Sequence, residues 1–250
     1  MDPAGKSALI TGGTRIGRTV AEALARAGCS VAVTYRTSRS VALETVRRVE
    51  SLGVRGFALK LDLSRIPLLK PGLQAVVRAF GRLDILVNMA SHYEPTPLHE
   101  LNQVSRRAKA FEKSIAVDLR SAYELSLLAA PHMNKAGGGR IVNFTDWVAA
   151  SGRPRYRGYL PYFTAKAGVK GLTESLALEL APHILVNAVA PGPILAPPGL
   201  SSSAHREVIA NTPLGRWGGP EEIAKTVLFF VQSDFVTGET LRVDGGRHLY

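Results

Sequence analysis

Tyr162 and Lys166 stand one helical turn apart on an apolar-periodic segment that opens near Pro161. At that spacing two side chains project from the same helix face. A phenol with an ordinary pKa of about 10 is a poor acid at neutral pH, and an ammonium beside it lowers that value by stabilising the phenolate. The pair therefore reads as an acid–base unit. Tyr-x-x-x-Lys spacings are also common on exposed helices, where they mean two unrelated surface residues. A third ionisable group, Asp146, ends the β-branched run Ile141–Thr145. An ionised carboxylate there would repel a developing oxyanion and oppose phenolate formation, whereas a desolvated one can hold a proton and pass it on through a phenol or a water.

A second group of residues suits phosphate. Gly12, Gly13, Thr14, Arg15, Ile16 and Gly17 follow the first strand-like run and precede the helical pattern Val20-Ala21-Ala23-Leu24-Ala27. Glycines there permit a tight turn and close approach of the backbone, while the N–H groups at the next helix start attract an anion. A merely structural turn would use the same residues. The second strand ends in Tyr35-Arg36-Thr37-Ser38, without the acidic residue that usually holds the ribose hydroxyls of NAD. The Arg36 guanidinium and the Thr37 and Ser38 hydroxyls suit the extra phosphate of NADP(H); a solvated surface arginine is the bland alternative. Asp62, with Leu63, ends the third strand where a carboxylate could bond an adenine amino group. Asn88-Met89-Ala90 ends the fourth, where the backbone would pass a ribose. Simple strand capping would explain both.

These residues sit at the ends of short apolar runs, and that placement is itself informative. Ala8–Thr11, Val31–Tyr35, Phe57–Leu61, Ile85–Asn88, Ile141–Thr145, Leu185–Ala190 and Leu241–Val243 read as strands, separated by helix-period segments. Near-continuous apolar strands alternating with helices predict an α/β, doubly wound, Rossmann-type parallel sheet of about seven strands with helices on both faces. Sites in such sheets lie beyond the carboxyl ends of the strands, where the candidate residues are found. With 250 residues, 46% of them hydrophobic, and no linker or repeat, a single domain over 1–250 is expected. No transmembrane run or leader pattern is evident, so a cytoplasmic location is expected. The lone Cys29 cannot form an internal disulfide, and the six histidines lack ligand spacing, so no metal is expected. The net charge of +11 is dispersed and accompanied by no nucleic-acid motif, which favours a small-molecule substrate over nucleic acid or membrane.

Taken together, TGGTRIG, the NMA segment, Y-F-T-A-K, the P-G-P-I run at 191–194 and the final V-D-G-G resemble the short-chain dehydrogenase/reductase family, along essentially the whole chain. The resemblance implies hydride transfer between a nicotinamide and a carbonyl or imine compound. It also implies that Tyr162 donates the proton, that Lys166 binds the nicotinamide ribose and tunes the tyrosine, and that Pro191, Gly192 and Ile194 flank the nicotinamide. A homotetramer is implied as well, with the Asp118 and Tyr162 helices and the last strand at its contacts.

Three departures qualify this resemblance. The glycine loop is one residue short and lacks its central glycine, so Arg15 is expected to replace some backbone phosphate donors. Asp118 stands where the family carries the asparagine of its catalytic tetrad, and Asp146 where most members carry the catalytic serine. Aspartate at that last position is a feature of the pteridine and dihydromonapterin reductases. That branch implies NADPH-dependent reduction of a dihydropterin or dihydrofolate-type ring, with Asp146 able to bond the pterin amino edge. Tyr162 and Arg15 are also expected to meet the substrate, and Tyr93, after the fourth strand, reads equally as a ring-stacking neighbour or as core packing. A carbonyl or 3-oxoacyl-type reductase that tolerates Asp146 is the alternative. A non-catalytic NADP(H)-binding sensor is a second one, motivated by the short loop and Asp118. The segment Arg153–Gly158 is expected to form a basic flap beside the pocket, and Pro191–Gly199 with Ser201-Ser202-Ser203 a substrate lid. Val169, Leu172, Leu176 and Leu180 form a stripe expected in the core or at a subunit contact.

Overall fold

In the computed structural model, residues 1–152 and 156–249 are described. Seven strands form one sheet: β1 (Ser7–Thr11), β2 (Ser30–Tyr35), β3 (Gly56–Lys60), β4 (Ile85–Asn88), β5 (Gly139–Phe144), β6 (Ile184–Pro191) and β7 (Thr240–Val243). Each predicted strand is present, with ends shifted by at most two residues. The order is β3-β2-β1-β4-β5-β6-β7, and every neighbouring pair is parallel. The order reverses between β1 and β4, and the crevice that opens at such a reversal is where ligands bind in this architecture.

Alternate side chains of the central strands point to opposite faces, and each face is covered by its own helices. Ala8 and Ile10 of β1 pack with α1 (Ile16–Arg26), α2 (Arg39–Glu50) and α9 (Pro220–Gln232), through Val20, Leu24, Val49, Val227 and Phe230. Leu9 of the same strand packs on the other side with α3 (Leu69–Phe80), α5 (Ser121–Lys135) and α7 (Leu160–Leu180), through Leu73, Val76, Leu125, Met133 and Leu176. Burial of both faces is why the strands carry no polar alternation. Val169 and Leu176 are buried, and Leu172 and Leu180 pack against the same cluster, so the stripe on α7 belongs to the core.

Helix ends carry local signals. Pro161 occupies the first turn of α7, where its missing N–H costs nothing. Asp146 caps α6 (Trp147–Ser151), its side chain accepting from the Val148 N–H at 2.8 Å. α4 (Val104–Ser114) runs into a π-helical stretch, Ile115–Arg120, and then into α5. The expected lid is a loop only in part: Ser201 caps α8 (Ser202–Ala210), so Ser202 and Ser203 begin a helix. Of the expected flap, Arg153, Pro154 and Arg155 lie outside the described residues. Tyr156 accepts from Arg247 Nε at 3.2 Å, and the Gly158 carbonyl accepts from the Thr96 N–H at 2.6 Å. No helix among the described residues is long and apolar enough to cross a membrane.

Candidate active site

A cleft of about 560 Å³ opens along the carboxyl ends of the strands. Its walls contain Gly12, Thr14, Arg15, Ile16 and Gly17 after β1, Tyr35 at the end of β2 with Arg36 and Thr37 beyond it, and Asp62 and Leu63 after β3. Ala90 and Tyr93 after β4, Tyr162 and Lys166 on α7, Pro191 at the end of β6, and Gly192 and Ile194 beyond it also line the cleft. All of these were expected from sequence. Asn88 was expected here too, but its side chain turns into the sheet, donating to Asn143 Oδ1 at 2.9 Å. Asn143 in turn donates to Thr173 Oγ1, so this buried amide ladder ties β4, β5 and α7 together. The chain then reaches the cleft through the Met89 and Ala90 N–H groups, both of which donate to Thr11 Oγ1.

The glycine loop packs tightly. A Cβ on Gly13 would meet Val33 Cβ at 2.7 Å, and one on Gly17 would meet the Gly12 carbonyl oxygen at 1.9 Å. Thr34 anchors the turn, accepting from the Gly12 N–H on Oγ1 and from the Gly13 N–H on its carbonyl, each at 3.1 Å. α1 begins in the cleft wall with no side-chain cap and no acidic residue in its first turn, so its start offers N–H groups to an anion. Arg36 is exposed and makes no hydrogen bond or ion pair among the described residues. Asp62 accepts from the Ser64 hydroxyl at 2.7 Å, which, with the Ser64 N–H and the Arg36 charge, holds its carboxyl below the usual range against the opposing effect of burial. An uncapped helix start, a close-packed glycine turn and a free guanidinium fit a phosphorylated dinucleotide.

Arg15 takes φ 51° and ψ −112°, a conformation that glycine favours, and it is the only non-glycine residue with positive φ among those described. It therefore occupies the backbone role of the missing central glycine. Its guanidinium crosses the cleft mouth and donates to the Ala196 carbonyl at 3.2 Å, so the side chain is engaged with the segment after β6. The P-G-P-I and V-D-G-G motifs meet nearby: a Cβ on Gly192 would lie 2.5 Å from Asp244 Cβ, and Asp244 accepts from the Gly246 N–H at 3.0 Å.

At the far end, Tyr162 Oη donates to Asp146 Oδ2 at 3.1 Å. Asp146 is half-buried and does not itself line the cleft; it reaches the cleft through Tyr162. Desolvation raises the Asp146 carboxyl above the ordinary range, and this outweighs the Val148 N–H, Tyr162 and Lys166, which all favour the charged form. Lys166 Nζ donates to the Phe144 carbonyl at 2.8 Å and lies 3.1 Å from Asp118 Oδ1. The expected lowering of the phenol by the ammonium is not the dominant effect. Burial first, then the Asp146 and Asp118 charges, push Tyr162 well above its ordinary value.

Sequence reasoning missed Ser91 and His92, which line the cleft and bind Asp118: Ser91 through its hydroxyl, and His92 through its N–H at 3.1 Å from Oδ2. It also missed Tyr159, whose ring stacks on Tyr93 at 4.6 Å and 13° while Tyr93 meets Tyr162 edge-on at 4.9 Å. No local pattern marks residues that meet only through the fold. Cys29 is buried, and burial chiefly pushes its thiol up to about 12, so it contributes no nucleophile.

Comparison with known proteins gives the family. Residues 13–248 match the family model described as Enoyl-(Acyl carrier protein) reductase. The chain belongs to the short-chain dehydrogenase/reductase family. As a member it is an NAD(P)-dependent oxidoreductase. It is 36% identical over 250 residues to 3-oxoacyl-[acyl-carrier-protein] reductase FabG of Staphylococcus aureus strain Mu50, covering 98% of each chain. Among solved structures it resembles a short-chain dehydrogenase/reductase from Serratia marcescens, with a TM-score of 0.89, 33% identity and coverage of 99% and 100% of the two chains. A blue fluorescent protein from a metagenomic library, solved in complex with NADPH, matches with a TM-score of 0.89 at 29% identity over 99% of each chain.

Proposed function

We propose that this family member is an NADPH-dependent reductase of a dihydropterin or dihydrofolate-type ring, with Tyr162 as proton donor and Asp146 behind it. The observation that carries the reading is the 3.1 Å bond between Tyr162 Oη and an Asp146 carboxyl that burial biases toward its protonated form. When bound, the nicotinamide nucleotide supplies the hydride. Arg36, Thr37 and the start of α1 hold its phosphates, and Arg36 at the end of β2 is the basis for choosing NADP(H) over NAD(H). Lys166 and the Pro191–Ile194 turn hold the nicotinamide end. Tyr162 gives its proton to the ring nitrogen as the hydride arrives, and Asp146 replenishes the phenol from its own protonated form. Tyr93, about half exposed and backed by Tyr159, offers an aromatic face to a planar substrate.

A second reading is reduction of a 3-oxoacyl thioester or other carbonyl, favoured by the FabG relative. Here the substrate oxygen takes the Tyr162 proton and Asp146 is tolerated. Steady-state assays with NADPH and a panel of dihydropterin, dihydrofolate, simple ketone and 3-oxoacyl thioester separate the two. The pterin reading expects ring turnover that Asp146→Ser lowers. Brisk ketone turnover, rising in Asp146→Ser and with pterins inert, overturns it. Exposed apolar side chains on α5 (Tyr123, Leu127) and toward the C-terminus (Leu241, Leu249) support assembly of the single 1–250 domain into a homotetramer.

A further inference from the structure

Lys166 does not face Tyr162 as a lone cation. Its ammonium and the Asp118 carboxylate lie 3.1 Å apart, and their side chains are only 3% and 0% exposed. Asp118 is fixed in turn by the Ser91 hydroxyl and the His92 N–H, from the segment that follows β4. A paired ammonium and carboxylate shielded from water act on a nearby group almost as a neutral unit, because their fields oppose.

The charged and titratable groups around the phenol make the sign clear. From the β5–α6 junction comes Asp146, at 3.1 Å; from the π-helical stretch, Asp118; from α7 itself, Lys166, with its nitrogen 5.7 Å from the Tyr162 ring centre. From the segment after β4 come Tyr93 and His92, the His92 ring turned onto Glu94 at 2.7 Å, and from just before α7 comes Tyr159, its ring centre 6.4 Å from that of Tyr162. One cation thus faces two carboxyl groups.

We propose that Asp118 is a positioning residue that serves as the counter-ion of Lys166, keeping the Tyr162 proton on the phenol through neutral and mildly alkaline pH. Lys166 then orients and holds rather than acidifies, and the site is set for reduction. Reduction needs the phenol as an acid, while the reverse oxidation needs the phenolate as a base and is confined to higher pH. The inference rests on Tyr162 being the proton donor, and its test requires neither substrate nor nucleotide.

Phenolate absorbance is titrated in the free protein from about pH 6 to pH 11, taking wild type minus Tyr162→Phe as the signal of Tyr162. The expected result is no Tyr162 phenolate below about pH 10, the ordinary value for tyrosine. Asp118→Asn, which keeps the shape and removes the charge, should move the midpoint down by at least about one pH unit, the usual effect of an unopposed cation at this range. Asp118→Glu should return it toward wild type. A Tyr162 phenolate at neutral pH in wild type, or a midpoint that stays or rises in Asp118→Asn, overturns the proposal. Where Asp118→Asn yields no folded protein, Asp118→Ser, smaller and equally uncharged, takes its place in the titration with the same expected and overturning results. Failure of this titration leaves the substrate assignment standing, because that assignment is read from turnover instead.

Discussion

Replacing Gly17 with alanine tests the phosphate cradle most directly. The added Cβ would lie 1.9 Å from the Gly12 carbonyl oxygen and 3.0 Å from the Gly12 carbonyl carbon, so both obstacles are backbone atoms. Ordinary contact begins at 3.4 Å, and either the Gly12 peptide or the first turn of α1 must therefore retreat by about 1.5 Å. The Gly12 peptide resists, because Thr34 holds the Gly12 and Gly13 N–H groups at 3.1 Å. The helix start must yield instead, and its N–H groups leave hydrogen-bonding range of a bound phosphate. Losing one charge-assisted bond costs about 1.5–3 kcal/mol, which weakens NADPH binding roughly ten- to hundred-fold. Overpacking itself costs about 1–3 kcal/mol of stability, or some 2–4 °C in melting temperature for each kcal/mol in a chain of this size. Nucleotide titration by calorimetry, with thermal unfolding run in parallel, reads both effects. Should Gly17→Ala melt lower yet bind NADPH with wild-type affinity, the loop is a structural turn and the cradle lies elsewhere.

Two further predictions concern charge. Arg36→Asp should weaken NADPH by about 1.5–3 kcal/mol, the loss of one charge-assisted contact, and leave NADH much less affected; parallel affinity measurements that show equal losses refute the phosphate role. Asp146→Asn should raise the melting temperature at neutral pH. The folded carboxyl titrates above its unfolded value of about 3.9, so the stability it contributes is complete below that pH and is lost as pH rises through the raised folded value. The variant-minus-wild-type difference should therefore shrink toward zero as pH falls below about 4. A variant less stable than wild type at neutral pH contradicts the assigned direction.

The strands were legible because burial on both faces leaves an uninterrupted apolar run, and their carboxyl ends pointed to the cleft without further information. Polar partnerships were not legible. Asn88 looks like a cleft residue by position, yet its partners Asn143 and Thr173 lie far along the chain, and only the parallel register of β4 and β5 shows that it faces them. Asp118 illustrates the same limit more sharply. Its identity was visible as a departure from the family pattern, but its ion pair with Lys166 arises where the π-helical stretch packs on α7. Local propensity is silent about which turn of one helix meets which turn of another. Ser201 is the opposite case: a serine before an apolar-periodic segment is an ordinary helix-cap signal, and the Pro-Gly-rich run beside it obscured that signal.

The shortened glycine loop and the bridge across the cleft mouth are one feature. With one residue fewer between Gly12 and Gly17, the chain still has to turn from β1 into α1, and Arg15 supplies the turn at φ 51°. A non-glycine residue held in such a region costs about 1–3 kcal/mol, so it persists only where surrounding contacts compensate. One contact it makes is its guanidinium bond to the Ala196 carbonyl, on the segment that leads into α8. Glycine would adopt the same backbone without strain but would carry no side chain across the cleft. The substitution thus couples the phosphate loop to the segment after β6, and any movement of that segment around a substrate must break or carry this bond. The glycine turn and the segment after β6 are consequently joined at Arg15, a link that a glycine at this point would have no side chain to make.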